Sequence, residues 1–268
     1  MTIKKPNFLV VDLCGVRENA QAYVIYSHVQ SLSQLFKIES VCAEKITASM
    51  SALGELERME LTAVNLKPND GNLILSCNIR SIRKNLDHLL KSSFASHAKL
   101  LCLQETWLDP TSNHDISRKE WSQHCNSAGR GKGISSFYKQ PYTWIYDIKR
   151  NNHQFTKLAS DKLDVINIYR SDGTNTNMFL EDLMSMINDK RTLIMGDFNL
   201  CFQSENLHPI FQFLRKQGFC QLVKSSTHIK GRMIDLVFIN QKEELHIWKL
   251  KQQPAFFSDH DVIQISSG

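Results

Sequence analysis

The chain has 268 residues, 42% hydrophobic and 22% charged, which is globular composition and enough length for one large domain or two small ones. No apolar run approaches the ~20 residues that span a bilayer, and Asp12 cuts the "FLVV" run after Lys4 and Lys5 too short for a signal peptide. The seven cysteines contain no C-x-x-C pair, which argues against a zinc site or a disulfide framework and fits a reducing compartment.

The net charge of +5 is uneven: residues 1–70 hold 7 Lys/Arg against 8 Asp/Glu, and the other 25 and 19 fall in residues 71–268. Helical propensity dominates the first stretch, with Ser49 a cap for "SALGELERM". Pro68, Asn69, Asp70 and Gly71 then break the chain, which sets a domain boundary at 70/71. Beyond it the pattern becomes short apolar strands, expected over 73–77, 99–104, 133–138, 144–148, 163–169, 192–195, 233–239 and 261–265. Helices are expected over 83–91, 176–188 and 207–217, too few for a doubly wound parallel sheet. From Cys125 to Lys157, Arg130, Lys132, Lys139, Lys149, Arg150 and Lys157 stand against only Asp147. A polyanionic partner fits that stretch, and so does a solvated basic surface; charge alone favours the second.

Several expected strands run into polar residues. "LILSC" meets Asn78, "LLCLQ" meets Glu105, "LDVINI" meets Tyr169, and "TLIM" meets Gly196, Asp197 and Asn199. Asp235 interrupts "MIDLVFI", and Asp259 and His260 precede the last strand. An acid in an apolar strand is paired or used, so a series of them at strand ends points to a site on one rim of a sheet. The residue types suit phosphodiester hydrolysis. Glu105 and Asp259 offer carboxylate oxygens to Mg²⁺ or Mn²⁺. Asp197 and Asn199, at i and i+2, can face one attacking water. His260 can contact a phosphate if Asp235 orients it, and Tyr169 can donate to a phosphate oxygen.

The segments "SCNIRS", "LQETWL", "GKGISSFY", "INIYRS", "MGDFNL", "THIKGRMIDLVFI" and "FSDHDVI", in this order, resemble the endonuclease/exonuclease/phosphatase family. That family includes DNase I-like nucleases and abasic-site endonucleases; the likeness is strongest to the endonuclease domains of non-LTR retrotransposons. It covers about residues 71–268. It implies a four-layer α-β-β-α sandwich, here behind a short, mainly helical N-terminal extension. It implies Glu105 as the main metal ligand, with Asn78 close by and Asp259 assisting. Asp197 and Asn199 would orient or deprotonate the water, and His260, held by Asp235, would stabilise the pentacovalent phosphate. Abasic-site enzymes carry a second acid where this chain has Arg80, which removes support for an abasic-site preference. Arg80, Lys132, Thr227, His228 and Arg232 are the candidates for nucleic-acid contact.

"QAYVIYSHVQSLSQLFKI" resembles the last motif of the superfamily-1 helicases carried by Helitron transposons, with His28 where an arginine stands. With no G-x-x-x-x-G-K-[ST] loop in the chain, residues 1–70 read as an inactive helicase remnant. The implied function is a Mg²⁺-dependent DNA endonuclease that nicks target DNA in a transposable-element setting, nuclear or nucleocytoplasmic. The alternatives are the same chemistry on a non-DNA phosphoester, or a non-catalytic nucleic-acid-binding transposon remnant. Neither a membrane nor an obligate protein partner is expected.

Overall fold

The structure, a computed structural model, describes residues 9–11, 35–37, 73–92, 95–109, 118–202, 208–240 and 248–267. The chain divides into two compact units, Met1–Lys67 and Pro68–Gly268. In the first, β1 (Leu9–Val11) runs parallel to β2 (Leu35–Lys37), Leu9 opposite Leu35. The helix expected over "SALGELERM" and the helicase-like motif with His28 lie outside the described residues.

The second unit is built on two six-stranded sheets. β3 (Leu73–Asn78), β4 (Ala98–Gln104), β5 (Ser122–Asn126), β6 (Ile134–Tyr138), β13 (Trp248–Pro254) and β14 (Asp261–Ser267) form one, ordered β13-β14-β3-β4-β6-β5. β7 (Thr143–Lys149), β8 (His153–Ala159), β9 (Asp164–Arg170), β10 (Thr192–Asp197), β11 (Cys220–Gln221) and β12 (Asp235–Ile239) form the other, ordered β11-β12-β10-β9-β8-β7. Within these sheets β3 pairs with β4, and β9 with β10, in parallel; the other pairings are antiparallel.

The layering follows from the two-residue period of a strand. Ile74, Leu100, Cys102, Ile263 and Ile265 of the first sheet meet Val165, Leu193, Met195, Val237 and Ile239 of the second. Their alternates Leu75, Cys77, Leu101 and Leu103 face outward onto Ile82, Leu86 and Leu89 of α1 (Ile82–Leu90). In the second sheet Ile166, Ile168, Ile194, Leu236 and Phe238 turn to α2 (Thr176–Met186) and α3 (Pro209–Lys216). The order is therefore helix, sheet, sheet, helices. Strands buried on both faces read as continuous apolar runs, which is why these were found by hydrophobicity and not by alternation. Helix starts have local causes: the Asn175 side chain accepts from the Met178 N–H, and His208 precedes Pro209 at the first turn of α3.

Every strand and helix expected beyond residue 70 is present, with ends shifted by a residue or two; residue 207, the expected start of α3, lies outside the described residues. β5, β8, β11 and β13 were not foreseen. "SQHCN" and "WKLKQQP" are edge strands with little apolar content. "HQFTKLA" lies inside its sheet, yet its polar side chains are satisfied there: Gln154 accepts from the Gly133 N–H at 2.9 Å, and Lys157 pairs with Asp164 at 2.9 Å.

Candidate active site

Register carries the functional residues to one rim. Parallel pairing sets Asn78 opposite Gln104, with Glu105 next, and sets Asp197 opposite Tyr169. Antiparallel pairing brings the start of β12 to the same edge, so Asp235 faces Asp197. β14 runs against β3, which puts His260 beside the end of β3. The glycine of "MGDFN" has a steric cause. Gly196 has φ 139°, and a Cβ there would lie 2.0 Å from the Ile168 carbonyl oxygen. No side chain fits while β9 and β10 approach this closely, and that approach aims Asp197 at the rim.

Three residues form a line. The Asn78 amide donates to Glu105 Oε1 at 3.0 Å and to Asp197 Oδ2 at 2.9 Å. Asp197 Oδ1 accepts the Asn199 N–H at 2.8 Å, so the acid is held from both sides. Burial, then the negative charge of Asp235, push the Asp197 carboxyl up to about 7, against the opposing pull of His260 and of these donors. Glu105 Oε2 accepts the Trp107 indole N–H at 3.1 Å.

A second group stands beside it. Both carboxylate oxygens of Asp235 approach His260 Nδ1, at 3.0 and 2.9 Å. Thr227 fixes Asp235: its hydroxyl donates to Asp235 Oδ2 at 2.7 Å and accepts the Ile234 and Asp235 N–H groups. Burial disfavours a charged His260. The hydrogen bond and charge of Asp235, with Asp197 and Asp259 behind, outweigh it and raise the ring to about 9. The segment around His228 pairs with that around His260, through Ile229 N–H to Asp259 O and Asp261 N–H to Thr227 O. The Lys230 N–H donates to His228 Nδ1 at 3.0 Å, so the proton of a neutral His228 sits on Nε2. Burial and the charged His260 hold His228 below its ordinary value. Arg80 Nη1 at 2.6 Å, His228 Nε2 at 3.5 Å and His260 Nε2 at 3.8 Å all converge on the Asp259 carboxylate.

The backbone at this rim is strained. The non-glycine residues with positive φ are Arg80 (44°), Ser81 (91°), Glu105 (48°), Trp107 (55°) and Asn199 (48°) among the described residues, and all flank the site. Each such residue costs about 1–3 kcal/mol. A fully buried Leu, Ile or Val contributes about 1.5–3 kcal/mol, so the two-faced core below can hold them. The path is also stitched: the Ile79, Ser81 and Ile82 N–H groups bond to the carbonyls of Gln104, Glu105 and Thr106, continuing the β3–β4 pairing past the strand ends.

Comparison with known proteins supports the same architecture. The family model described as endonuclease-reverse transcriptase matches residues 163–264. No curated protein matches the chain in sequence. Among solved structures, the endonuclease domain of TRAS1, a telomere-specific non-LTR retrotransposon, superposes with a TM-score of 0.57 at 14% identity, over 74% of this chain and 98% of that one. An AP endonuclease from Archaeoglobus fulgidus gives 0.55 at 17%, over 73% and 99%. The 3′ phosphatase NExo from Neisseria, bound to a product DNA hairpin, gives 0.52 at 14%, over 74% and 99%. The second unit has the DNase I-like fold. The likeness is thus to endonuclease/exonuclease/phosphatase proteins.

Within that fold, Asn78, Glu105, Asp197, Asp235, Asp259 and His260 come together as the sequence suggested. One expectation is corrected. Thr227 was assigned to nucleic acid, but it is fully buried and serves Asp235. Tyr169, expected to donate to a phosphate oxygen, donates a hydrogen bond here to the Gly131 carbonyl at 2.8 Å. Across the basic stretch, where charge favoured a solvated surface over a polyanion site, most cations have partners. Lys132 donates to Asn151 O, Lys149 to Ser127 O, and Lys157 is buried against Asp164 and Met186 O. Lys139 lies on the Trp121 ring and Arg150 pairs with Asp182. Arg130 differs: among the described residues it makes no ion pair, and its guanidinium lies 5.8 Å from the Trp107 ring centroid. Arg232 is exposed, and its carbonyl closes the turn by accepting from Thr227 and His228. Ser258, part of the polar cluster before the last strand, was given no role by sequence; its hydroxyl donates to Asn78 O at 2.7 Å and accepts the His260 N–H. Serine two residues before a histidine is too common a turn pattern to stand out.

Acidic and histidine groups that could hold a metal are present. Asp197, Asp235 and His260 offer atoms within 4.8 Å of one another, as do His228, Asp259 and His260. The hydrogen bonds favour neither set. His260 Nδ1 is committed to Asp235, and His228 Nε2 carries a proton. The oxygens fit better: Asp259 Oδ1 is buried without a hydrogen-bond donor, and Glu105 takes one donor on each oxygen, leaving lone pairs. An all-oxygen set of this kind suits Mg²⁺ or Mn²⁺.

Proposed function

We propose that the protein is a divalent-metal-dependent phosphodiesterase that nicks DNA, acting in a transposable-element setting. The observation that carries this is the pairing, on one rim, of a buried acid poised near neutrality with a buried imidazole kept charged. Asp197 with its carboxyl raised to about 7 is matched to taking a proton from water at physiological pH. His260 stays cationic there and offers Nε2–H to the phosphate. Glu105 and Asp259 would hold the cation, which when bound supplies Lewis-acid stabilisation of the developing phosphorane charge. The Arg80 cation and the His228 and His260 imidazoles, which gather around Asp259, supply positive charge and donors for a phosphodiester oxygen bound next to it.

DNA is favoured as substrate by the endonuclease-reverse transcriptase match and by the TRAS1 and AP endonuclease likenesses. No helix of the described residues is long and apolar enough to cross a membrane. The described cysteines are free thiols, which goes with a reducing nuclear or nucleocytoplasmic setting. The test is relaxation of supercoiled plasmid with Mg²⁺, with Mn²⁺ and with EDTA, followed by extension of the nick with a polymerase that needs a 3′-hydroxyl. Metal-dependent nicks that extend support the reading. Cleavage of phosphomonoesters or RNA with no plasmid nicking overturns it.

A further inference from the structure

We propose that Trp107, Arg130 and Arg80 form a lip that docks a nucleotide beside the scissile phosphate, and that the Trp107 indole N–H ties this lip to Glu105. The proposal rests on the DNA reading above and names the part of the site that grips the strand.

Four observations carry it. First, Trp107 holds φ 55°, a conformation a bulky L-residue avoids. It is kept there by Trp107 N–H to Lys132 O at 2.9 Å, with Thr106 N–H to Gly133 O and Gly129 N–H to Leu108 O on either side. Gly133 is required for this seam, because a Cβ there would sit 2.6 Å from Thr106 Oγ1. Second, the ring is not a core filler: it is half-buried at the rim and gives its N–H to Glu105 Oε2. Third, guanidinium groups from two separate segments approach the same ring, Arg80 at 6.0 Å and Arg130 at 5.8 Å from its centroid. Both arginines are exposed. Fourth, Arg130 keeps its charge free of ion pairs among the described residues while the basic residues near it in sequence are engaged.

Two guanidinium groups lie over the indole, and Arg130 is the one without an ion pair among the described residues. A nucleotide is complementary to this arrangement: its base takes the place of the Arg130 guanidinium on the ring, and its phosphate pairs with the displaced cation. Trp107 is also a positioning residue. Its N–H fixes one Glu105 oxygen while Asn78 fixes the other, so the carboxylate faces the cation site in one orientation.

The experiment compares the full-length protein with Trp107→Phe, Trp107→Ala and Arg130→Gln. Binding of a fluorescent DNA duplex is followed by anisotropy in EDTA across a salt series, and Mn²⁺ binding to the protein alone by calorimetry. Trp107→Phe keeps the ring and loses the donor, so DNA affinity should hold within about twofold while Mn²⁺ binds several-fold more weakly. Trp107→Ala should weaken DNA binding by roughly five- to 100-fold, the loss of one stacked base. Arg130→Gln should leave Mn²⁺ binding unchanged and lower the slope of log affinity against log salt by roughly 0.9. If Arg130→Gln changes neither affinity nor slope, or if Trp107→Phe weakens DNA as much as Trp107→Ala, the lip is wrong. Plasmid nicking by the wild-type protein separates the two levels. Nicking with unaffected variants removes the lip and leaves the DNA reading standing, whereas no nicking and no DNA binding by wild type removes both.

Discussion

Two buried Asp–His pairs stand in the same unit and behave in opposite ways. At the rim, His260 Nδ1 meets Asp235 at 2.9 Å. On the outer face of the second sheet, His153 Nε2 meets Asp182 Oδ2 at 2.8 Å. Distance and burial hardly distinguish them. The difference lies in the next charges out. Asp182 also takes a two-pronged bond from Arg150, at 3.0 Å on each oxygen, so its charge is already matched. Burial, with the nearby charges of Arg150 and Arg170, leaves His153 below its ordinary value despite Asp182. It packs edge-on to Phe155 and Phe179 and serves as part of the fold. Around His260 the further charges are the acids Asp197 and Asp259, and they push the ring up. A carboxylate beside a histidine is therefore not in itself a site; the sign of the surrounding field decides whether the imidazole is held charged or neutral.

The comparison breaks most visibly in activity. Asp235→Asn removes the charge that keeps His260 protonated and should lower nicking by about 10²–10⁴-fold. Asp182→Asn should leave nicking per folded molecule within about twofold and instead lower Tm, by roughly 2–8 °C. Thermal melts run beside nicking assays check both. Equal activity losses in the two variants would dissolve the distinction.

Changing pH sharpens it next. Catalysis should need Asp197 deprotonated and His260 protonated, which gives a bell with limbs near 7 and 9. Stability should respond with opposite signs at the two histidines. The His260 value is raised, so its contribution is complete below about 6.5 and is lost as pH climbs through about 9. The His153 value is lowered, so its folded form gains stability as pH rises toward the ordinary histidine value and loses it on acidification. Tm of wild type minus His260→Gln should fall between pH 7 and 9; wild type minus His153→Gln should rise between pH 5 and 7. Asp197 inverts the usual carboxylate behaviour. Its raised value means that ionising it costs stability from about 4 up to about 7. The Tm difference Asp197→Asn minus wild type should therefore grow from pH 5 to 8, even as the variant loses activity. A flat difference would place the Asp197 carboxyl at an ordinary value.

How much of this was legible beforehand differs by region. Strands buried on both faces announce themselves as apolar runs, and the acids that end them stand out because such runs exclude charge. That made the core strands and most of the rim readable. What was hidden depends on partners far along the chain. Thr227 reads as a loop hydroxyl until β12 brings Asp235 beneath it, and Tyr169 as a free donor until the Gly131 carbonyl takes its proton. No propensity foretells positive φ at Glu105 or Trp107, because the conformation is imposed by the seam with residues 129–133. The strands with polar sequences were missed for the related reason that their satisfaction lies on other elements. His153 and Asp182 attracted no functional reading because nothing in "HQFTKLA" or the second helix marks them as neighbours.

The smallest expected effect tests the basic stretch against the rim. By sequence, the charge of this stretch fits a polyanionic partner as well as the favoured solvated surface, and each phosphate contact removed should lower the salt slope by about 0.9. By structure, Lys149 gives its ammonium to Ser127 O, and Lys139 lies 4.3 Å from the Trp121 centroid with Glu120 in reach at 3.5 Å. These contacts are exposed, so each contributes little to stability. Lys139 follows β6 at the end opposite the rim, and Lys149 closes the row Asp197, Tyr169, Gln154, Lys149 at its far edge, three strands from Asp197. Lys139→Gln and Lys149→Gln, alone or together, should leave DNA affinity within about twofold and the slope unchanged, while Arg80→Gln at the rim reduces both. Anisotropy titrations at several salt concentrations resolve a slope change of that size. A drop with the lysine variants equal to that with Arg80→Gln would mean that the strand crosses the β7 edge of the second sheet, and the DNA path would have to be redrawn from the rim to that edge.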